Sequence, residues 1–296
     1  MLAPQAVVRS ITAEHRREFA GNCYVNPSAR ASVGGVDTIL SRANTELSDT
    51  LKRARFVRSD EGHHVLRDNK WGKALALMPN ALIMLPTASP SRADGRGLGL
   101  HADGIATHMN IGPDMRWLID QRSLCDYEII CPKTDFDRGN LVIGASGEAT
   151  PASMARESER SRIVGDVVEQ YTLNAWGKRT VVFVTDVKAA NAAAEKFNAW
   201  GIPAAAISAN TSDDVRAEQI RRLRDGRLWV LVNVDLLGEG FDLPAIECVI
   251  MARPTQSLAV YLQQFGRALR VLAGKLYGLV IDLVSNVKAH SLPDIP

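Results

Sequence analysis

From residue 163 onward, short apolar runs alternate with amphipathic stretches in a regular order. The pattern predicts a helix over 163–171, a strand over 180–184 and a helix over 188–200, stopped by Gly201 and Pro203. A strand over 204–207 precedes a helix over 213–224, for which Ser212 or Asp213 supplies the cap. Strands over 228–232 and 246–251, a helix over 257–271 and a strand over 277–283 complete the series. Strands separated by helices of this length predict right-handed βαβ units and a parallel sheet.

The earlier half is less regular. A short helix is expected over 11–19, and Asn26-Pro27-Ser28 signals a turn. A strand is expected over 31–36. A helix capped by Asp37 or Thr38 follows, to about Ala54, with Ile39, Leu40, Leu47 and Leu51 on one face. Residues 54–57 read as a buried strand and 71–78 as a helix ended by Pro79-Asn80. Residues 81–85 form a continuous apolar run, the signature of a strand buried on both faces. A helix over 117–121 and a strand over 127–131 come next. Residues 133–160, rich in Gly, Ser, Asp and Arg, read as an insertion or hairpin region.

Composition narrows the class without naming a chemistry. At 296 residues, two domains are expected. The hydrophobic content of 46% suffices for a core, and the net charge of +2 makes any basic surface local. Cys23, Cys125, Cys131 and Cys248 lack metal-site or disulfide spacing and read as buried free thiols. No run of ~18 apolar residues predicts a membrane span, and the first 20 residues carry no secretory h-region, so the expected location is the cytoplasm.

Candidate chemistry sits at strand ends, where open parallel sheets bind ligands. Asp60-Glu61-Gly62-His63-His64 follows the 54–57 strand. Adjacent carboxylates there are costly unless they face a metal, a cation or water. One can hold Mg²⁺ while its neighbour polarises a water for attack on phosphate; the plain alternative for His63-His64 is a surface pair. Asn233 to Pro244 forms a glycine-rich loop in which Asp242 can accept from a ribose or hold an arginine, or simply make a turn. On the 257–271 helix, Leu258, Leu262, Phe265 and Leu269 form the expected buried stripe. Gln263, Arg267 and Arg270 fall on the neighbouring stripe, either as a phosphate-facing set or as a solvated basic face.

These pieces together resemble superfamily 2 helicases of the DEAD/DEAH-box type, in the manner of phage or prophage-borne members. Asp60-Glu61-Gly62-His63 resembles motif II, Thr87-Ala88-Ser89 motif III, Val182 to Thr185 motif IV and Asn233 to Asp242 motif V. Gln263-Gln264-Phe265-Gly266-Arg267-Ala268-Leu269-Arg270 matches the Gln-x-x-Gly-Arg-x-x-Arg pattern of motif VI at every defined position. The resemblance implies an α/β fold of two RecA-like parallel-sheet domains, over 1–122 and 123–296. It implies ATP-dependent unwinding or translocation on nucleic acid, DNA more than RNA, with ATP and Mg²⁺ as cofactors. Asp60 would hold Mg²⁺ through water, Glu61 would orient the attacking water, and His63 would couple the box to the partner domain. Thr87, Ser89 and Thr185 would relay nucleotide state to the nucleic acid. Gly240, Asp242 and Gln263 would touch nucleotide, and Arg267 and Arg270 would reach its phosphates.

The sequence departs from that pattern in three places. Gly62 stands where alanine is usual, and Glu239 where many relatives carry arginine. No Gly-x-x-x-x-Gly-Lys-Ser/Thr occurs in the 296 residues, and Val33-Gly34-Gly35-Val36 lacks its lysine and hydroxyl. The expectation is therefore a truncated helicase whose first domain is incomplete and whose strand over 82–85 is an apolar edge. Its ATP hydrolysis alone would be weak. The phosphate loop would then come from a partner chain, or the chain would be a non-catalytic nucleic-acid- or partner-binding module, or a remnant of a disrupted gene.

Overall fold

The computed structural model describes residues 34–41, 43–44, 47–87, 96–145, 147–234 and 246–294. The expected helix over 11–19, Ser89, Gly240 and Asp242 lie outside the described residues. The chain divides into two compact units. One runs up to Asp60 and takes in His64–Leu85; the other combines Glu61–His63 with Pro86–Pro296.

The first unit contains α1 (Val36–Ser41), α2 (Leu47–Arg53), β1 (Phe56–Arg58), α3 (Lys70–Ala76) and β2 (Leu82–Met84). Val36 opens a helix rather than closing a strand, and the single helix expected to Ala54 is two, separated by a turn at Ala43 and Asn44. Asn69 caps α3 by accepting from the Trp71 and Gly72 amides. β1 and β2 pair in parallel, Phe56 opposite Leu82 and Arg58 opposite Met84. The apolar run over 81–85 is not buried on both faces. Leu82 is 71% exposed and Met84 44%, because β1 is the one strand beside it among the described residues.

The second unit is built on a six-stranded, wholly parallel sheet. It begins with α4 (Met115–Asp120), β3 (Asp126–Ile130), α5 (Pro151–Arg160), α6 (Ile163–Asn174), β4 (Thr180–Phe183) and α7 (Val187–Ala199). It continues with β5 (Ala204–Ile207), α8 (Asp213–Arg224), β6 (Val230–Asn233), β7 (Cys248–Met251), α9 (Leu258–Gly266), β8 (Tyr277–Asp282) and α10 (Asn286–His290). The strand order is β3-β8-β7-β4-β6-β5. Strand pleating divides the apolar residues. Val182, Val232, Ile250 and Ile281 pack under Ile163, Val167, Tyr171 and Phe197 of α6 and α7. On the other face Val181, Leu231, Val249 and Val280 pack under Leu223 of α8 and Tyr261 and Phe265 of α9. Each such buried side chain contributes about 1.5–3 kcal/mol, which explains the near-continuous apolar strands. Mixed α/β with this parallel sheet is the RecA-like fold.

Two departures from expectation matter for the site. Part of the 133–160 region is helix α5. Thr150 accepts from the Ser153 amide and Pro151 occupies the first turn, a start signal sitting in the sequence. Glu157 on α5 is buried and accepts from the Asp137 amide at 2.8 Å, Asn140 at 3.0 Å and Arg160 Nε at 2.8 Å. The Arg160 guanidinium above all holds its pKa down at about 2, from an ordinary 4.5. A depressed carboxylate stabilises the fold above its ordinary pKa and loses that contribution as pH falls towards the folded value. The melting-temperature gap between wild type and Glu157→Gln is expected to close between about pH 5 and pH 2. Thermal melts across that range check it; a constant gap contradicts it.

The other departure is α9, which ends at Gly266 instead of continuing to 271. Its end tightens into i to i+3 bonds, Ala268 N to Phe265 O and Leu269 N to Gly266 O. Tertiary donors then take the next carbonyls. Lys275 Nζ donates to Ala268 O and Arg270 O, and the Cys125 amide to Leu269 O. Of the expected stripe, Phe265 and Leu269 are fully buried and Leu262 packs against the core, joined by Tyr261, Gln264 and Ala268, while Leu258 is 39% exposed.

Candidate nucleotide and nucleic-acid site

β1 delivers the acidic pair. The Ser59 amide donates to Met84 O at 3.0 Å, and the Gly62 amide to Pro86 O at 2.9 Å. The end of β2 and the segment after it thus fix the two ends of the turn. Asp60 keeps a side chain 77% exposed, 3.9 Å from the Arg58 guanidinium. Glu61 takes a positive φ of 50°, uncommon for a residue with a side chain. Its Oε2 lies 3.5 Å from His63 Nδ1. That same nitrogen is 3.0 Å from Thr87 Oγ1, and His63 is only 8% exposed. The expected motif II histidine and motif III threonine are therefore in contact. The two histidines part ways: His63 is buried, whereas His64 stacks on Trp71 with ring centroids 5.4 Å apart.

In the second unit, Thr185 and Asn233 stand at the carboxyl edge of the sheet, whereas Arg267 and Arg270 lie at the far end of α9, beside Cys125 and Lys275 that precede β3 and β8. Thr185 follows β4 and donates to Asp186 Oδ2 at 2.8 Å; Asp186 in turn caps α7 through the Ala189 amide. Asn233 ends β6 and is buried. Arg267 closes α9 and is 8% exposed. Gln263 is half-buried on α9, and Arg270 is exposed in the turn beyond it. Gln263, Arg267 and Arg270 do not form one helical stripe, because Arg270 has left the helix.

A polar knot that the sequence reading missed seats α9. Glu148 accepts from Thr255 Oγ1 at 2.8 Å and from the Gln256 and Ser257 amides at 3.0 and 2.7 Å. Arg138 donates to Thr255 O, Val284 O and Asn286 Oδ1. Fully buried Asn286 donates to Arg253 O at 3.0 Å and accepts from the Thr255 amide at 3.1 Å. Burial lowers the pKa of both Arg138 and Arg253, against the pull of nearby carboxylates. The knot joins residues more than 100 positions apart, so no local pattern announces it. Among the described residues no group of three His, Cys, Asp or Glu side chains can hold a metal. No helix among them is long and apolar enough to cross a membrane.

Comparison with known proteins places these features. Residues 163–272 match the helicase conserved C-terminal domain. A 51.5 kDa protein of a Lactococcus phage is 32% identical over 257 residues, which is 86% of this chain and 54% of that protein. The pre-mRNA-splicing ATP-dependent RNA helicase prp28 of Aspergillus niger is 28% identical over 52% of this chain and 19% of its own length. A fragment assigned as an HsdR subunit of a type I restriction enzyme from Vibrio vulnificus has the same fold. It superposes with a TM-score of 0.62 at 18% identity, covering 87% of this chain and 48% of that one. The chain thus spans about half the length of the phage relative, and less of the other. Residues 163–272 thus form a helicase C-terminal domain on a RecA-like sheet, and the motif VI pattern at Gln263–Arg270 supports its placement with the superfamily 2 helicases.

Proposed function

We propose that the chain serves an ATP-dependent helicase or translocase acting on nucleic acid in the cytoplasm, DNA rather than RNA. The observation that carries this reading is the motif VI pattern, Gln263 to Arg270, inside the matched C-terminal domain and after α9 has been seated at the carboxyl edge of the sheet. In this reading residues up to 122 form the ATP-binding domain and those from 123 the C-terminal domain. Gln263, Arg267 and Arg270 face the nucleotide from the latter, with Gly240 and Asp242. Arg270, exposed and off the helix, is the phosphate-charge stabiliser. Thr185, Thr87 and Ser89 relay nucleotide state to the nucleic acid, which is held mainly by its phosphates.

The acidic box fits Mg²⁺ in one respect. Asp60 is an exposed carboxylate at a strand end, and Mg²⁺ takes one or two carboxylates while keeping waters and substrate phosphates. Bound there, Mg²⁺ would neutralise phosphate charge. Glu61 orients the attacking water, and His63 ties the box to Thr87. These 296 residues hold no lysine-bearing phosphate loop, so we expect weak hydrolysis by this chain alone.

Purified chain is expected to hydrolyse ATP no faster than its Glu61→Gln variant, with or without single-stranded DNA or RNA. A nucleic-acid-stimulated ATPase abolished by Glu61→Gln would overturn the impairment and keep the helicase. Salt-dependent DNA binding indifferent to nucleotide would favour a non-catalytic binding module.

A further inference from the structure

The loops entering β4, β6 and β8 lie at the amino edge of the sheet, opposite the edge that carries Thr185 and the α9 seat. Each pairs an aromatic ring with a cation two residues away: Trp176 with Lys178, Trp229 with Arg227, and Tyr277 with Lys275. Across the loops, two of the rings meet and one cation lies over a ring. Trp176 is 57% exposed and meets Trp229 edge to face, centroids 5.9 Å apart. Lys178 Nζ stands 5.3 Å from the Tyr277 ring centre, and Arg179 donates to Arg224 O. Lys275 is spent on the carbonyls of Ile246, Ala268 and Arg270. Glu247 pairs with Arg179, and Asp225 with Arg227. Lys178 and Arg224 have no carboxylate partner among the described residues, which leaves two unneutralised cations at the edge that also carries the exposed Trp176. Across β8, β7, β4 and β6 the strip spans ~14 Å at ordinary strand spacing.

We propose that this amino edge is a second contact for single-stranded nucleic acid. Trp176 offers a stacking face, and Lys178 and Arg224 neutralise phosphates. Cations interleaved with rings suit a strand whose bases stack and whose backbone is anionic. A protein partner would instead want an apolar centre free of unpaired charge. The inference rests on the nucleic-acid reading above and adds a place for a strand at the edge opposite Thr185.

The test is binding of a fluorescein-labelled oligothymidylate to the full chain. Trp176→Ala is expected to weaken binding roughly fivefold or more. The double variant Lys178→Glu/Arg224→Glu is expected to weaken it and to make the salt dependence shallower by about two. If wild type binds and both variants bind like it, the amino edge is not a contact and the nucleic-acid reading stands. If wild type does not bind, that reading fails and takes this surface with it. A change in self-association by sedimentation with oligonucleotide binding intact assigns the strip to protein contact and overturns the proposal.

Discussion

Gly278→Val is expected to lose the second unit's native packing. Gly278 lies inside β8, and a Cβ there would sit 2.1 Å from the Ala268 carbonyl oxygen and 2.7 Å from its carbon. Both obstacles are backbone, and the segment is pinned from beyond by Lys275 and by the Cys125 amide. Overpacking a site that cannot relax costs about 3 kcal/mol, or a melting temperature lower by roughly 10 °C for a unit of this size. The glycine allows the turn between Gln264 and Arg270 to lie flat on β8. The functional consequence is therefore local as well: any folded fraction presents Arg267 and Arg270 displaced. A melt unchanged from wild type would refute the packing argument.

Asn286→Leu is the second large effect. Its amide serves three groups at once, the Thr255 N–H, the Arg138 guanidinium and the Arg253 carbonyl. Leucine fills the volume and strands those groups in a fully buried place. Leaving such groups unsatisfied costs about 3 kcal/mol in total. The melting temperature should fall by roughly 10 °C, and amide exchange at Thr255 should accelerate more than at Val249 in the adjoining strand. Asn286→Asp keeps the acceptor beside Arg138 and should recover part of the loss. Equal melts for Asn286→Leu and wild type would sink the idea that this knot seats α9.

These two residues show where reading the sequence stops. The apolar strands and the amphipathic helices between them were legible because parallel strands need apolar residues on both faces. The 204–207 strand and the 213–224 helix stand where the pattern predicts. The acidic box and motif VI were legible as strings of residue types. What was not legible depends on partners far away in sequence. The end of α9 is decided by Lys275 and Cys125, so periodicity carried the expected helix five residues too far. The region before α6 hid α5 because its Thr150-Pro151 start is followed by polar residues rather than an apolar stripe. The run over 81–85 reads as buried on composition alone, and exposure of Leu82 and Met84 follows from how few strands lie beside them among the described residues. Contact between His63 and Thr87 joins two segments that the sequence marked separately.

The sheet order carries a consequence for how the unit is made. β3 has β8 as its neighbour, Asp126 opposite Tyr277, a separation of about 150 residues. No strand between them in the chain can take that place, since β7 and β4 already occupy the other side of β8. During synthesis at ~5–20 residues per second, β3 therefore waits roughly 8–30 s for its pairing partner to leave the ribosome. Tyr127 and Ile129, which join the inner packing once β8 arrives, stay uncovered for that interval. Closing the sheet is a late, long-range event, and β3 is the segment a chaperone would be expected to hold.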